Sequence, residues 1–241
     1  MKFSVIVPAH NEERFLPQCL NAIERAARSH NAEIEIIVVL NRCTDGTGRI
    51  AEEHGAKTII EDRRNLAAIR NAGVRGANHD VIVTVDADSV VSENLFAEIE
   101  RALESGRYVG GGVKVIPERR SLGIALTHAL LWLVLFFTGL GGGVYWCRKE
   151  DFWAVDGFNE EMPFGEDLDF AKRLKAHGKK TGRMFTTLRK ASIVTSCRKL
   201  DTFGDWLFFR IMFLEWRSWK RALSGESTEL QDRYFYDFNN E

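Results

Sequence analysis

The chain has 241 residues, of which 45% are hydrophobic and 28% are charged, so it is long and apolar enough to form a sizeable core. A formal net charge of -1 argues against a nucleic-acid-binding protein, because such proteins usually depend on a broad basic surface. The four cysteines show no CxxC pair, which indicates reduced thiols and argues against a disulfide framework or a cysteine zinc site.

Short apolar runs alternate with segments of helical periodicity along the chain, a pattern typical of an α/β domain with a largely parallel sheet. A helix is predicted to begin near Glu166, because Gly165 precedes residues with helical spacing of apolar positions. We predict strands over residues 3–9, 34–41, 56–60, 80–86 and 108–116, and helices between them over about 12–30 and 65–77.

Polar residues follow the first, second and fourth predicted strands, whose ends should share the edge of the sheet where open α/β folds bind ligands. The fourth strand ends in Asp86 and Asp88. Residues i and i+2 of an extended chain point to the same side, so we expect both carboxylates to face one cation. Alternatively, this pair only ends the strand and caps a helix that starts near Ser92.

Five ordered segments of the chain resemble the motifs of the family 2 glycosyltransferases, which have the GT-A fold. They are SVIVPAHNEERFLPQCL, VVLNRCTDGT, NLAAIRNAG, VTVDADS and GFNEEMPFGEDLDFAKRL, and the resemblance covers about residues 3–190. It implies an α/β protein with a single Rossmann-like, mainly parallel sheet flanked by helices. On this basis we expect a GT-A domain over residues 1–200, with a nucleotide-binding part over about 1–116 and an acceptor part over about 117–200. Residues 201–241 would form a helical C-terminal extension.

The resemblance implies transfer of a sugar from a nucleotide-diphosphate donor, UDP-type by preference, to an acceptor hydroxyl. In such a site Asp86 and Asp88 bind Mg²⁺ or Mn²⁺ together with the donor diphosphate, since both ions prefer hard oxygen ligands. Asp167 is the catalytic base, with Glu166 beside it, and a single base implies inversion at the sugar carbon. The residues implied in nucleotide-sugar binding are Pro8, Ala9, Asn11, Glu12, Asn41, Asp45, Arg70, Asp86 and Ala87.

Several of these residues have a structural alternative, and one motif departs from the family pattern. The family usually carries acids at the positions of Leu40 and Asn41, so here the amide of Asn41 is left to hydrogen-bond the nucleotide base. Asn11 and Glu12 could cap a helix, and Asp45 could belong to a simple turn. Arg70 could be a solvated helix residue, and the acids at the start of the helix near residue 166 would in any case stabilise its dipole.

Two apolar segments remain outside these motifs, one over 122–140 without a charged residue and one over 203–222 that mixes tryptophan with arginine. A single membrane crossing in the first segment would separate the DAD and GED motifs, so we do not expect a span. The segments could instead pack on the sheet, form a homodimer interface or lie on a membrane surface. Because the N-terminal apolar run stops at His10, we expect no signal peptide and a cytoplasmic location, free or peripheral at the inner face of a membrane. A membrane location would suit a lipid-linked acceptor.

Other functions compete with glycosyl transfer. The stretch VTVDADSV also resembles the nucleophile motif of haloacid-dehalogenase-type phosphatases, although that family places it on the first strand and here three strands precede it. Sugar nucleotidyltransferases share the general architecture but begin with a glycine-rich basic signature that VPAHNEE lacks. A sugar-nucleotide-binding module without activity is the non-enzymatic alternative.

Overall fold

The computed structural model describes residues 1–127, 129–130, 142–162, 165–207 and 209, which form one eight-stranded sheet flanked by helices. The strands are β1 Lys2–Ala9, β2 Glu33–Leu40, β3 Lys57–Ile60, β4 Val81–Thr84, β5 Ser89–Val91, β6 Tyr108–Pro117, β7 Gly142–Arg148 and β8 Met184–Thr195. The helices are α1 Leu16–His30, α2 Thr47–Glu53, α3 Leu66–Arg75, α4 Leu95–Glu104, α5 Lys149–Ala154, α6 Glu166–Lys180 and α7 Arg198–Phe203. Residues 122–127 and 129–130 are also helical.

The strands lie in the order β3-β2-β1-β4-β7-β6-β8-β5. The first four of these positions are parallel, and β8 is parallel to β6. Strand β7 is antiparallel to both of its neighbours, and β5 is antiparallel to β8. The predicted α/β class with a single sheet is therefore confirmed, and among the described strands four pairings are parallel and three are antiparallel.

Helices cover both faces of the sheet, which explains why its central strands read as apolar runs. Strand β1 is buried over residues 3–9 and alternates between two cores, with Val5 in one and Ile6 in the other. The first core lies under α1 and α4, and the second under α3, α5 and α6. The sheet is thereby fixed from both sides, and its polar ligand-binding edge is left at the carboxyl ends of β1, β2 and β4.

The first, second, third and fifth predicted strands agree with the structure to within about one residue. The fourth predicted strand, over 80–86, is shorter than expected. Strand β4 ends at Thr84, and Asp86 and Asp88 lie in a turn in which the N–H of Ser89 donates to the carbonyl of Asp86 at 3.0 Å. The prediction that the two carboxylates project from one face of an extended strand is therefore wrong. The helix-cap alternative is wrong as well, because α4 begins at Leu95.

Three strands and the short helices α2, α5 and α7 were not predicted. Strand β5 has only three residues, β7 follows the long uncharged run, and β8 contains several polar and basic residues. Residues 131–140 and 210–241, which hold most of the two predicted apolar segments and of the C-terminal extension, lie outside the described residues. Among the residues that the structure does describe, no helix has the length and apolar character needed to cross a bilayer.

We predict that Gly73→Ala lowers the free energy of unfolding by about 1–3 kcal/mol, because α3 packs closely on the sheet at this glycine. A Cβ atom here would lie 2.3 Å from Cγ2 of Ile6 and 2.9 Å from Cγ2 of Val39. Gly48→Ala in α2 is the matched control, since its methyl would meet only Cδ1 of Leu40, at 3.3 Å. Urea denaturation measures both variants, and equal effects would contradict the close packing of α3.

Candidate active site

The polar segments after β1, β2 and β4 lie along one edge of the sheet, as predicted. These strands are parallel neighbours, and their register pairs Ala9 with Leu40 and Ile6 with Thr84. Residues 10–12, 41–47 and 86–88 therefore leave the sheet side by side. Pro8, Ala9 and Ala87 are buried at this edge.

Arg70 joins two of the predicted motifs. Its side chain is only 7% exposed, and its Nη2 donates to Oδ1 of Asp86 at 2.9 Å while its Nη1 donates to Oε1 of Glu166 at 2.7 Å. The guanidinium also lies 5.3 Å from the ring centroid of Phe158. Burial alone would lower the pKa of Arg70, but the carboxylates of Asp86, Glu166 and Asp167 outweigh it and raise that pKa above its usual value. Arg70 is thus a buried ionic link, and the solvated-helix alternative is wrong.

The three acids in the first turn of α6 have different partners. Glu166 is paired with Arg70, and Asp169 accepts a hydrogen bond of 2.6 Å from Nε of Arg173. Asp167 accepts from the backbone N–H of Leu168 at 2.7 Å, and no cationic side chain of the described residues forms an ion pair with it. Burial raises the pKa of the Asp167 carboxyl, with Arg70 opposing this effect and Asp86 adding to it. Burial raises the pKa of Glu166 as well, so what distinguishes Asp167 among the three acids is that no cation of the described residues forms an ion pair with it.

Helix α3 also holds the loop that leads into α6. Nδ2 of Asn71 donates to the carbonyl of Phe158 at 2.8 Å, and its Oδ1 accepts from the N–H of Phe158 at 2.9 Å. Asn65 caps α3 by accepting from the N–H of Ala68, and its Nδ2 donates to the carbonyl of Glu160 at 2.7 Å. The N-cap residue of α6 is Gly165, whose φ of 77° is unfavourable for residues with a side chain. These asparagines stand in the NLAAIRNAG motif, and sequence reasoning did not give them a role.

Asn11 and Asp45 connect the ends of β1 and β2. Asn11 has a positive φ of 51°, and its Oδ1 accepts from the N–H of Thr44 at 2.8 Å. Asp45 accepts from the N–H of Thr47 at 3.0 Å and from the N–H of Glu13 at 3.1 Å. Both side chains stabilise the turns at this edge. For Asp45 this agrees with the alternative prediction that the residue belongs to a simple turn.

Asn41 is fully buried at the end of β2, and only one side of its amide is used. Its Nδ2 donates to the carbonyl oxygens of Glu61 and of Arg63, the latter at 2.9 Å. Its Oδ1 is buried and has no hydrogen-bond partner among the residues that the structure describes. An unsatisfied buried acceptor is costly, so this oxygen is suited to receive a donor group from a ligand.

A second ionic link involves Glu12, which sequence reasoning assigned to the nucleotide sugar, and Arg198, which it missed. Arg198 donates to both carboxylate oxygens of Glu12, at 2.6 and 2.9 Å, and its Nε lies 3.4 Å from Oδ2 of Asp88. Burial raises the pKa of Glu12 to about 7, with Arg198 opposing it. Burial likewise raises the pKa of Asp88, and it lowers that of the neighbouring Lys199 to about 8. The sequence signal for Arg198 and Lys199 was the basic pair in SCRKL. This pair can be assigned to the site only when the pairing of β8 with β5 is known.

The charges at this edge fit a divalent cation. Most of these groups are buried or partly buried, although the Asp86 side chain is 43% exposed, and carboxylates outnumber cations among them. The described residues contain no group of three or more His, Cys, Asp or Glu side chains suited to a metal ion. Mg²⁺, however, usually takes only one or two protein carboxylates and completes its shell with water and phosphate oxygens, which Asp86 and Asp88 could satisfy. The cluster consists of the carboxylates of Glu12, Asp86, Asp88, Glu166 and Asp167 and the cations of Arg70, Arg198 and Lys199.

Related proteins are glycosyltransferases. An uncharacterized glycosyltransferase of Mycobacterium tuberculosis is 31% identical over 103 residues, which cover 43% of this chain and 44% of the relative. The dolichyl-phosphate beta-glucosyltransferase of Drosophila melanogaster is 32% identical over 140 residues, covering 52% of this chain and 40% of the relative. The matched part thus spans less than half the length of these relatives.

Solved structures of glycosyltransferases share the fold. S. aureus TarS in complex with UDP-GlcNAc superposes with a TM-score of 0.64 at 18% identity, covering 81% of this chain and 58% of that protein. The mannosyltransferase PcManGT from Pyrobaculum calidifontis, in complex with GDP-Man and Mn²⁺, gives a TM-score of 0.63 at 19% identity, covering 80% and 56%. The GT-A fold that the sequence motifs implied is therefore confirmed.

Family profiles match two overlapping parts of the chain. Residues 131–195 match the profile described as the N-terminal domain of galactosyltransferase. Residues 4–145, more than half of the chain, match the profile of glycosyl transferase family 2. The chain, with its DAD turn, its Arg70 link and its acidic α6 start on one edge of a GT-A sheet, belongs to glycosyl transferase family 2.

Proposed function

We propose that the protein is a metal-dependent, inverting glycosyltransferase that moves a sugar from a nucleotide-diphosphate donor to an acceptor hydroxyl. The observation that carries this proposal is the buried guanidinium of Arg70, which binds Asp86 at 2.9 Å and Glu166 at 2.7 Å. It holds the DAD turn next to the start of α6 and so brings a cation-binding carboxylate and the base Asp167 into one site. Membership of glycosyl transferase family 2 sets the phosphatase interpretation aside.

The donor side is formed by the ends of β1, β2 and β4. Asp86 and Asp88 would hold Mg²⁺ or Mn²⁺, and the bound ion supplies positive charge that stabilises the departing diphosphate. The Mn²⁺ and GDP-Man in PcManGT support this assignment at the level of the fold. The unpartnered Oδ1 of Asn41 suits the ring N–H of uracil, a donor that guanine shares, and the UDP-GlcNAc bound to TarS supports a UDP-sugar donor at the level of the fold.

The acceptor side is formed by α6. The Asp167 carboxylate takes the proton from the acceptor hydroxyl while the hydroxyl oxygen attacks the anomeric carbon of the sugar. The bond from that carbon to the diphosphate oxygen breaks in the same displacement, and the electron pair leaves with the diphosphate. One displacement from the opposite face inverts the anomeric configuration, whereas retention by double displacement would need a separate nucleophile.

The acceptor that we propose is a lipid-borne group reached from the membrane surface. Leu122, Leu126 and Trp206 are 71%, 44% and 50% exposed. The two segments that carry them lie next to each other, because a Cβ on Gly123 would lie 2.8 Å from the carbonyl oxygen of Asp205. Amphipathic surfaces with leucine and tryptophan bind the interfacial region of bilayers. A relative named as a dolichyl-phosphate glucosyltransferase supports this class of acceptor.

Asp88→Asn should strongly weaken Mn²⁺-dependent binding of the donor while leaving the fold intact, because it replaces one of the two charged carboxylate ligands with a neutral amide. Asp86→Asn should do the same, although it also removes a partner of Arg70. Asp80→Asn, an exposed acid just before the other end of β4, is the control. Calorimetric titration with UDP-sugars at fixed Mn²⁺ measures the binding, and unchanged metal-dependent affinity in the Asp88 variant would refute the metal site.

Asp167→Asn should lower turnover by at least about a hundredfold with little effect on donor affinity, since the amide keeps the shape but cannot accept the proton. Asp169→Asn, which removes only the partner of Arg173, should retain turnover within a few-fold. Steady-state kinetics and donor titration separate the two effects. If Asp167→Asn is as active as the wild type, Glu166 or Asp169 must be the base, and a product of retained configuration would contradict inversion.

The wild-type protein should co-sediment with anionic liposomes at low salt, and the double variant Leu122→Ser/Leu126→Ser should do so several-fold less. Burial of apolar side chains in the interface is the physical reason. Ile60→Ser, which changes a 72% exposed residue elsewhere on the surface, is the control and should bind like the wild type. Wild-type protein that stays in the supernatant would assign this surface to the core or to a dimer interface.

A further inference from the structure

We propose that Arg198, assisted by Lys199, is a mobile cationic partner of the donor's diphosphate, and that it exchanges the carboxylates of Glu12 and Asp88 for phosphate oxygens when donor and metal bind. This inference rests on the proposed function and names a residue pair that the donor motifs do not include. It gives the two arginines of the site different roles. Arg70 is a fixed link between two carboxylates, and Arg198 is a cation that changes its partner.

The backbone around Arg198 is fixed by the sheet. Strand β5, which directly follows the DAD turn, pairs with the end of β8, so that Ser89 lies opposite Thr195. The N–H of Ser196 then donates to the carbonyl of Asp88 at 3.3 Å, and α7 begins at Arg198 two residues later. Because of this pairing, the end of β8 delivers Arg198 and Lys199 to the edge that carries Asp86 and Asp88.

The side chain of Arg198 has the contacts expected of an anion-binding group. Its guanidinium lies 5.0 Å from the ring centroid of Phe15 and makes two hydrogen bonds to Glu12. Its Nε lies 3.4 Å from Oδ2 of Asp88, the carboxylate proposed as a metal ligand. The planar fork of arginine fits carboxylate and phosphate oxygens equally well, so a diphosphate can replace these carboxylates without leaving the cation unpaired.

Arg70 differs from Arg198 in its surroundings. The Arg70 side chain is 7% exposed and bridges Asp86 and Glu166, whereas the Arg198 side chain is 20% exposed. Moving Arg70 would leave Glu166 buried with an uncompensated charge, which is strongly unfavourable. The Glu12 side chain is also buried, at 6% exposed, but the cation of Lys199 acts on Glu12 and on Asp88 and would remain when Arg198 moves. Arg198 is closer to solvent and at the start of the short helix α7, so its side chain is the one that can change partners.

The exchange couples metal binding to nucleotide binding. In the ligand-free protein Arg198 and a metal ion compete for the Asp88 carboxylate. A bound diphosphate offers Arg198 other oxygen atoms, and so it releases Asp88 for the metal. Each ligand therefore increases the affinity for the other, and thermodynamic linkage requires that this factor be the same in both directions.

Arg198→Gln should weaken UDP binding in the presence of Mn²⁺ by about ten- to a hundredfold, the range expected for the loss of a charge-assisted hydrogen bond. Binding of uridine, which lacks phosphate, should change by less than about threefold. Mn²⁺ alone should bind at least as tightly as to the wild type, because its competitor for Asp88 is gone. Calorimetry gives the UDP and Mn²⁺ affinities, and ligand-observed NMR gives that of uridine.

Two further variants complete the experiment. Arg189→Gln, an exposed arginine on β8, is the control and should match the wild type in all three titrations. Arg198→Lys keeps the charge but loses the fork, and its UDP affinity should be intermediate.

An Arg198→Gln protein that loses UDP, uridine and Mn²⁺ affinity in equal measure has a structural defect, and one that binds UDP normally has no diphosphate contact; both results overturn this inference. Wild-type protein that binds neither UDP nor GDP with Mn²⁺ would instead contradict the proposed function, and the inference with it.

Discussion

The site depends on one buried ionic link, the guanidinium of Arg70 between Asp86 and Glu166. The two carboxylates belong to segments 80 residues apart in sequence, and α3 supplies the cation that lets both approach without repulsion. A buried charge that loses its partner is far more costly than a surface charge, so the loss of Arg70 or Glu166, whose side chains are 7% and 12% exposed, would be strongly unfavourable. The link therefore fixes the distance between the turn that would hold the donor and the helix that would hold the base.

The other charged groups are arranged around this link by the same rule of pairing. Asp169 is paired with Arg173, and Glu12 with Arg198. Asp167 lies within the field of Arg70 but forms no ion pair among the described residues, and burial raises its pKa. Among the described residues, the absence of an ion pair therefore distinguishes Asp167 from Glu166 and Asp169, which lie in the same turn of α6.

Local pattern predicted the parallel strands and the edge where their polar segments meet, and the family resemblance predicted most of the charged cluster. The apolar runs before Asn11, Asn41 and Asp86 are short, uninterrupted and followed by polar residues, so their strands and common edge could be read directly. The geometry of the DAD segment could not, because β4 stops two residues early and a turn, not an extended strand, presents the carboxylates. Arg198 was missed for a related reason: it enters the site through the pairing of β5 with β8, a contact between residues more than 100 positions apart. No local periodicity encodes such a pairing.

Helix α3 places three polar residues, Asn65, Arg70 and Asn71, that face different partners. Asn65 and Asn71 hold the loop at residues 158–160, while Arg70 faces Asp86 and Glu166. Each residue of an α-helix is rotated by about 100° from the one before it, so inserting or deleting a single residue between these positions would turn at least one of them away from its partner. A substitution in α3 changes the contacts of one residue. An insertion or deletion instead rotates every later side chain about the helix axis and so changes all of their contacts. The six-residue spacing from Asn65 to Asn71 is therefore a constraint on how descendants of this sequence can diverge, and variation in length is best accommodated in the connecting loops.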